Sequence, residues 1–173
     1  MAAGIIGLGI MGSAYSGNLR KAGVEVWGFD PDLEARNHLT TIGGTAHDGV
    51  GPWLTDCDLV IVSVASPTVL ATVTKALGEI LLPGQVVMET GTFAMADKLA
   101  AQSAVQAGGA ILLDTPVSGT GAQAVLGDLV IMASGPSAAI AKAKPYMSHL
   151  SHTVIEAGDF GAGSKLKYVA NHA

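Results

Sequence analysis

The chain has 173 residues, 49% of them hydrophobic and 13% charged, enough apolar material to bury a core of its own in a single domain and too much for a disordered chain. Its 14 acidic and 9 basic residues leave a formal net charge of -5, and the Lys and Arg are scattered. That excludes a general nucleic-acid surface, which needs clustered cations against phosphate.

Taken in chain order, short runs of Val, Ile and Leu alternate with stretches of helical spacing that end at Gly, Pro or Asp. The pattern predicts an α/β fold with a doubly wound, mostly parallel sheet and helices on both faces. Strands are expected over residues 3–6, 25–29, 59–64, 85–89, 110–114, 129–133 and, shorter, 153–155, with 45–47 a further candidate. Helices are expected over 11–22, 33–41, 67–81, 94–107, 122–126 and 137–148. Residues 58–64 carry four β-branched side chains between polar neighbours and read as a central strand buried on both faces. No basic leader or long apolar run precedes the first strand, and the single cysteine, Cys57, can form no internal disulfide. The expectation is a cytoplasmic protein with no membrane partner.

Between the first strand and the first helix stand Gly7, Leu8, Gly9, Ile10, Met11 and Gly12, a G-x-G-x-x-G in the position that gives the motif its meaning. Gly7 permits a tight turn, Gly9 lets backbone approach a pyrophosphate, and Gly12 lets helix and strand pack closely. The helix amino terminus then offers free N–H groups and positive dipole to the phosphates. This makes the sheet Rossmann-type and the expected cofactor a nicotinamide dinucleotide. Asp30 closes the second strand where an acid meets the adenosine ribose hydroxyls, which favours NAD. NADP stays as the alternative, because Arg36 on the next helix could bend back to a 2'-phosphate. Val64, at the end of the third main strand, completes the expected cofactor contacts on this side. Trp27 reads as sheet-face packing.

Farther along, Asp114, Thr115, Pro116, Val117, Ser118, Gly119, Thr120 and Gly121 make a turn-rich segment at the carboxyl edge of the sheet, where ligands bind in such folds. Gly161, Gly163, Lys167 and Asn171 form G-x-G-x-x-x-K-x-x-x-N, with Lys167 and Asn171 one helical turn apart on one face. A helix is expected over 164–173, with Leu166, Val169 and Ala170 near one side of it and in need of a cover.

The three motifs GLGIMG, DTPVSGTGA and GAGSKLKYVAN together resemble the β-hydroxyacid dehydrogenases, the group of 3-hydroxyisobutyrate, tartronate semialdehyde and 6-phosphogluconate enzymes. The resemblance implies that residues 1–160 are a dinucleotide-binding domain and that 161–173 begin an interdomain helix leading to an all-helical carboxyl-terminal domain. It implies a small carboxylate substrate, a homo-oligomer in the full-length form, and no activity for this chain by itself. It assigns Lys167 as the catalytic lysine, Asn171 as its neighbouring asparagine, Thr92 as the threonine near the nicotinamide, and Ser118, Gly119 and Thr120 to the loop that holds the substrate carboxylate. Two positions depart from the family pattern: Thr120 replaces a second glycine, and Gly91 replaces a serine.

Oxidising an alcohol removes a hydride from carbon and a proton from oxygen, so a base must lie within hydrogen-bond reach of the hydroxyl. Burial and a cationic nicotinamide would both disfavour the charged form of Lys167 and bring it toward that role. Two alternatives stand beside this reading, a non-catalytic NAD(P)-binding module and a related imine or keto-acid reductase. No metal site is expected: His149 and His152 lack further ligands at useful spacing and read as surface residues. Cys57, between Asp56 and Asp58, is in surroundings that disfavour a thiolate.

Overall fold

The computed structural model of the chain describes residues 1–172; Ala173, the last residue of the expected terminal helix, lies outside them. The elements run β1 (Ala2–Ile6), α1 (Ile10–Lys21), β2 (Glu25–Phe29), α2 (Leu33–Thr41), β3 (Thr45–His47), β4 (Leu59–Val62), α3 (Pro67–Ile80), β5 (Val86–Glu89), α4 (Met95–Gln106), β6 (Ile111–Asp114), β7 (Val117–Ser118), α5 (Gly121–Val125), β8 (Leu129–Ser134), α6 (Ser137–Met147), β9 (Ser151–Gly158) and α7 (Ala162–His172). A 3-10 helix, Pro52–Asp56, sits between β3 and β4.

Every residue of β1, β4 and β5 is buried, which is why these strands read as apolar runs without polar alternation, with Glu89 at the end of β5 the one charged residue among them. The sheet order is β3-β2-β1-β4-β5-β6-β8-β7, with β9 added to β8. The strands from β3 to β6 are parallel. Ile5, Ile61 and Met88 point to a core layer that contains Tyr15, Leu19 and Met147. Ile6, Val60, Val62 and Val87 point to the opposite layer with Leu54, Leu70, Leu77 and Val105. Each fully buried aliphatic side chain contributes about 1.5–3 kcal/mol, so the two layers carry the fold.

Local chemistry sets the helix starts. Asp32 caps α2 by accepting the Glu34 N–H, and Ser66 caps α3 by accepting the Val69 N–H with Pro67 in the first turn. Arg20 and Lys21 occupy the last turn of α1, where positive charge complements the helix dipole.

The structure corrects several boundaries. β4 stops at Val62, two residues before the expected end, because Ser63 and Val64 turn into the loop that borders β1. β9 is eight residues long instead of three. Its exposed His152, Thr153 and Glu156 hide an edge strand whose apolar content is low. Beyond Pro116 the chain forms the unexpected β7, and both β6 and β7 pair antiparallel with β8. β9 lies parallel to β8 on its other side. α7 starts at Ala162, two residues early, and Gly163 is what permits it: a side chain there would collide with the Met132 carbonyl oxygen. Among the described residues, no helix is long and apolar enough to cross a membrane.

Candidate active site

The glycine loop lies at the carboxyl ends of β1 and β4, on either side of which the sheet order runs in opposite directions. Gly7 has φ +95, and its N–H donates to the Phe29 carbonyl at 2.9 Å, which ties the turn to β2. The Leu8 N–H donates to Asp30 Oδ2 at 2.8 Å while Asp30 Oδ1 accepts the Asp32 N–H at 2.8 Å. Asp30 therefore holds the loop as well as facing the cleft. Leu8 brings only its backbone to the site, since its side chain is in the core.

Gly7, Gly9, Asp30, Ser63, Val64 and Val69 border a cavity of about 270 Å³. Gly9 caps α1 without a side-chain bond, and nothing stands within 4 Å of where its side chain would point. Gly12 differs, because a side chain there would collide with the Gly7 carbonyl. Open space above Gly9 beside a helix amino terminus is the shape a pyrophosphate requires, so these residues fit a dinucleotide. Ile10 is 78% exposed, and Met11 packs partly against the core. Arg36 does bend back, but onto the carbonyls of Asp30 at 2.8 Å and Pro31 at 3.2 Å.

The second signature comes to the same edge. A side chain at Gly121 would stand 2.9 Å from Ile10 Cγ2, and Asn18 on α1 donates to the Ala124 carbonyl at 2.7 Å. Those contacts join the glycine loop to the segment of Ser118, Gly119 and Thr120, all three exposed. Thr120 is the N-cap of α5 in a reciprocal capping box: its hydroxyl accepts the Gln123 N–H, and its own N–H donates to Gln123 Oε1 at 2.8 Å. The Thr120 N–H is thereby already engaged.

Lys167 Nζ donates to the Val117 carbonyl at 2.6 Å, one residue before Ser118. The lysine is half-buried, and burial pushes its pKa below the ordinary lysine value. Asn171, one turn on, is exposed, as is Thr92 in the loop after β5.

One cluster at this edge was not foreseen. Lys98, Glu89 and Asp114 are all 0% exposed; the Lys98 ammonium pairs with Glu89 and lies 2.8 Å from both Asp114 Oδ1 and the Gly91 carbonyl. The available signals were an acid closing each of two apolar strands and a lysine on the inward side of α4.

Other residues act structurally. Cys57 is buried, and burial together with Asp56 and Asp58 pushes its thiol up to about 12. His152, exposed on β9, pairs with Asp128 at 2.8 Å. Trp27 packs half-buried against the layer around Leu54 and lies 6.3 Å from His47. Among the described residues no three His, Cys, Asp or Glu are grouped to hold a metal ion.

Residues 2–158 match the family model described as the NAD binding domain of 6-phosphogluconate dehydrogenase. The chain belongs to this family. It is 31% identical over 171 residues to the L-threonate dehydrogenase of Escherichia coli O6:H1, a match covering 96% of this chain and 57% of that protein. It is 32% identical over 169 residues to the NAD-dependent L-serine dehydrogenase of Pseudomonas aeruginosa, with the same coverage of 96% and 57%. The structure of the Mycobacterium tuberculosis 3-hydroxyisobutyrate dehydrogenase with L-serine superposes with a TM-score of 0.94 at 26% identity, over 98% of this chain and 58% of that one. This NAD-binding domain of Rossmann type thus spans a little over half the length of the relatives it matches.

Proposed function

We propose that the chain is the cofactor-binding part of a dehydrogenase that moves a hydride between a nicotinamide and a small 3-hydroxy acid or its semialdehyde, with NAD preferred to NADP. The observation that carries the reading is Lys167, drawn off the surface of α7 to the Val117 carbonyl beside Ser118, with its charged form disfavoured by burial. A solvated lysine on an exposed helix has neither property. The relatives named above, the L-threonate, L-serine and 3-hydroxyisobutyrate dehydrogenases, are all named for small hydroxylated acids.

In this reading the backbone at Gly9, Ile10, Met11 and Gly12 receives the pyrophosphate above the turn made by Gly7, whose own N–H is committed to the Phe29 carbonyl, and Asp30 receives the adenosine ribose, its carboxylate repelling a 2'-phosphate. Val64 and Thr92 border the rest of the cofactor. When bound, the nicotinamide supplies hydride acceptance and return. Lys167 takes the hydroxyl proton in oxidation and gives it back in reduction, while Asn171 orients the hydroxyl. Ser118 and the Gly119 N–H hold the substrate carboxylate; Thr120 shapes that wall, because its own N–H is committed to Gln123.

In this reading a further wall of the substrate cleft lies against α7. Tyr168 and Val169 of α7 are 65% and 62% exposed and border, with Phe93 and Met95, a groove of about 580 Å³. We assign its cover to an all-helical domain continuing from α7, and expect the whole protein to be a cytoplasmic homo-oligomer and this chain alone to bind cofactor without turnover.

The test is calorimetric titration of the chain with NAD and with NADP, followed by turnover of the whole protein on small hydroxy acids. Tighter binding of NAD and turnover that depends on Lys167 support the reading. Binding without any turnover in the whole protein would leave a non-catalytic module, and no binding to either would refute both.

A further inference from the structure

Glu89 and Asp114 are register partners on the neighbouring parallel strands β5 and β6, so two carboxylates stand side by side with no exposure to water. Like charges in that position oppose strand pairing, and a buried carboxylate without a partner is strongly disfavoured. Lys98 reaches across from α4 and answers both. With one cation against two acids, burial pushes the Glu89 carboxyl above its usual range despite the pull of Lys98. The Tyr15 hydroxyl, whose field includes Glu89, is pushed up to about 12 by burial and stays neutral in the working range.

The bonds leading out of the cluster go to two places. Toward β5, Glu89 Oε1 accepts the Gly91 N–H at 2.7 Å and Lys98 Nζ donates to the Gly91 carbonyl at 2.8 Å. Both polar groups of the residue before Thr92 are thereby fixed. Toward α7, Asp114 Oδ2 accepts the Ser164 N–H at 2.8 Å and Oδ1 accepts the Ser164 hydroxyl at 2.7 Å. Ser134 on β8 adds its hydroxyl to the Asp114 carbonyl at 3.0 Å. Asp114 therefore anchors the first turn of the helix whose next turn carries Lys167.

We propose that Lys98 is a positioning residue for the proton-transfer lysine: through Asp114 and Ser164 it sets the seat of α7, and through Gly91 it sets the loop of Thr92, so that the two walls of the cleft are held as one unit. The proposal rests on the proposed function for the meaning of Lys167, but the linkage is physical and measurable without turnover. Severing it at the cluster frees both walls. Weakening it at Ser164 loosens α7 alone and leaves Gly91 held.

The experiment uses the present chain. Ser164→Ala removes the hydroxyl bond to Asp114 Oδ1 at a half-buried position and keeps the backbone bond to Oδ2 and the ion cluster, so its fold is retained and the hold on α7 is weakened. Amide exchange of residues 165–170 should rise at least about tenfold, and the Lys167 titration, followed by side-chain NMR, should move up toward an exposed lysine. Exchange at residues 90–93 should stay unchanged, and Ser164→Thr, which keeps the hydroxyl, should restore the wild-type values. The triple variant Glu89→Gln, Lys98→Met, Asp114→Asn removes the charges without a large change of volume, and in it both segments should exchange faster. An α7 and a Lys167 titration indifferent to Ser164→Ala would overturn the proposal even if the triple variant failed to fold. Calorimetry on the same samples separates the two ideas: NAD failing to bind the wild type sinks the functional reading, whereas normal NAD binding with an indifferent Lys167 sinks only the positioning role.

Discussion

Lys167 of α7 and Val117 of β7 are joined by a 2.6 Å hydrogen bond from ammonium to carbonyl, which holds the terminal helix over the strand that leads into Ser118. An ammonium kept there is partly desolvated, and its proton is released at lower pH than that of a surface lysine.

In the whole protein, oxidative turnover should therefore rise with pH as Lys167 loses its proton, with its midpoint below 10.5, the ordinary lysine value. Lys167→Arg keeps a positive charge that cannot be given up in the working range. Its oxidative turnover should fall by about 10²–10⁴, the usual contribution of a general base, with NAD affinity within a few-fold of wild type. Steady-state kinetics beside calorimetry check this; equal losses in both quantities would mean that Lys167 serves cofactor binding instead.

The glycines of the loop should separate by function. Gly12→Ala meets the Gly7 carbonyl and forces the α1–β1 contact apart, a collision of the kind that destabilises by about 1–3 kcal/mol. Its melting temperature should drop by roughly 2–4 °C per kcal/mol. Gly9→Ala meets nothing within 4 Å in the protein, so its melting temperature should hold while NAD affinity collapses. Thermal melts and titration of the two variants decide it, and a Gly9→Ala chain that binds NAD normally would remove the pyrophosphate from this loop.

Asp30 carries two duties, and substitution should expose both. Asp30→Ala strips the Leu8 and Asp32 N–H groups of their acceptor and should lower stability by about 1 kcal/mol. It also removes the carboxylate that opposes a 2'-phosphate, with Arg36 already folded toward the Asp30 carbonyl. The ratio of NADP to NAD affinity should rise by about tenfold, equivalent to 1.4 kcal/mol. An unchanged ratio would show that Asp30 only braces the loop.

What the sequence revealed follows from the range of the interactions. The glycine loop, Asp30 and the alternation of β1 to β6 are local backbone and hydropathy signals, so they stand where expected. The commitment of the Thr120 N–H to Gln123 is equally local: a threonine three residues before a glutamine at a helix start is a capping box in sequence as well as in structure. The Glu89, Lys98 and Asp114 cluster was invisible for another reason. Its members are ordinary surface residue types, and only the register of β5 against β6 sets the two acids side by side under Lys98. Likewise β9 hides behind exposed polar residues, because an edge strand need not alternate cleanly.

His47 gives a prediction independent of the proposed chemistry. Its ring stacks on Trp53 at 4.2 Å and 4°, and its Nε2 is buried without a hydrogen-bond partner. Burial lowers its pKa below 6.5, with Asp48 pulling weakly the other way. The unfolded chain thus takes up this proton more readily than the folded one. The corresponding stability is fully present above pH 6.5 and is lost as pH falls through the lower folded value. His47→Phe keeps an aromatic ring on Trp53 and removes the titration. Denaturant melts near neutral pH and at about pH 5 should show wild type losing more stability than the variant over that interval, with tryptophan fluorescence changing only in wild type. Parallel losses in the two proteins would assign the acid sensitivity to other groups.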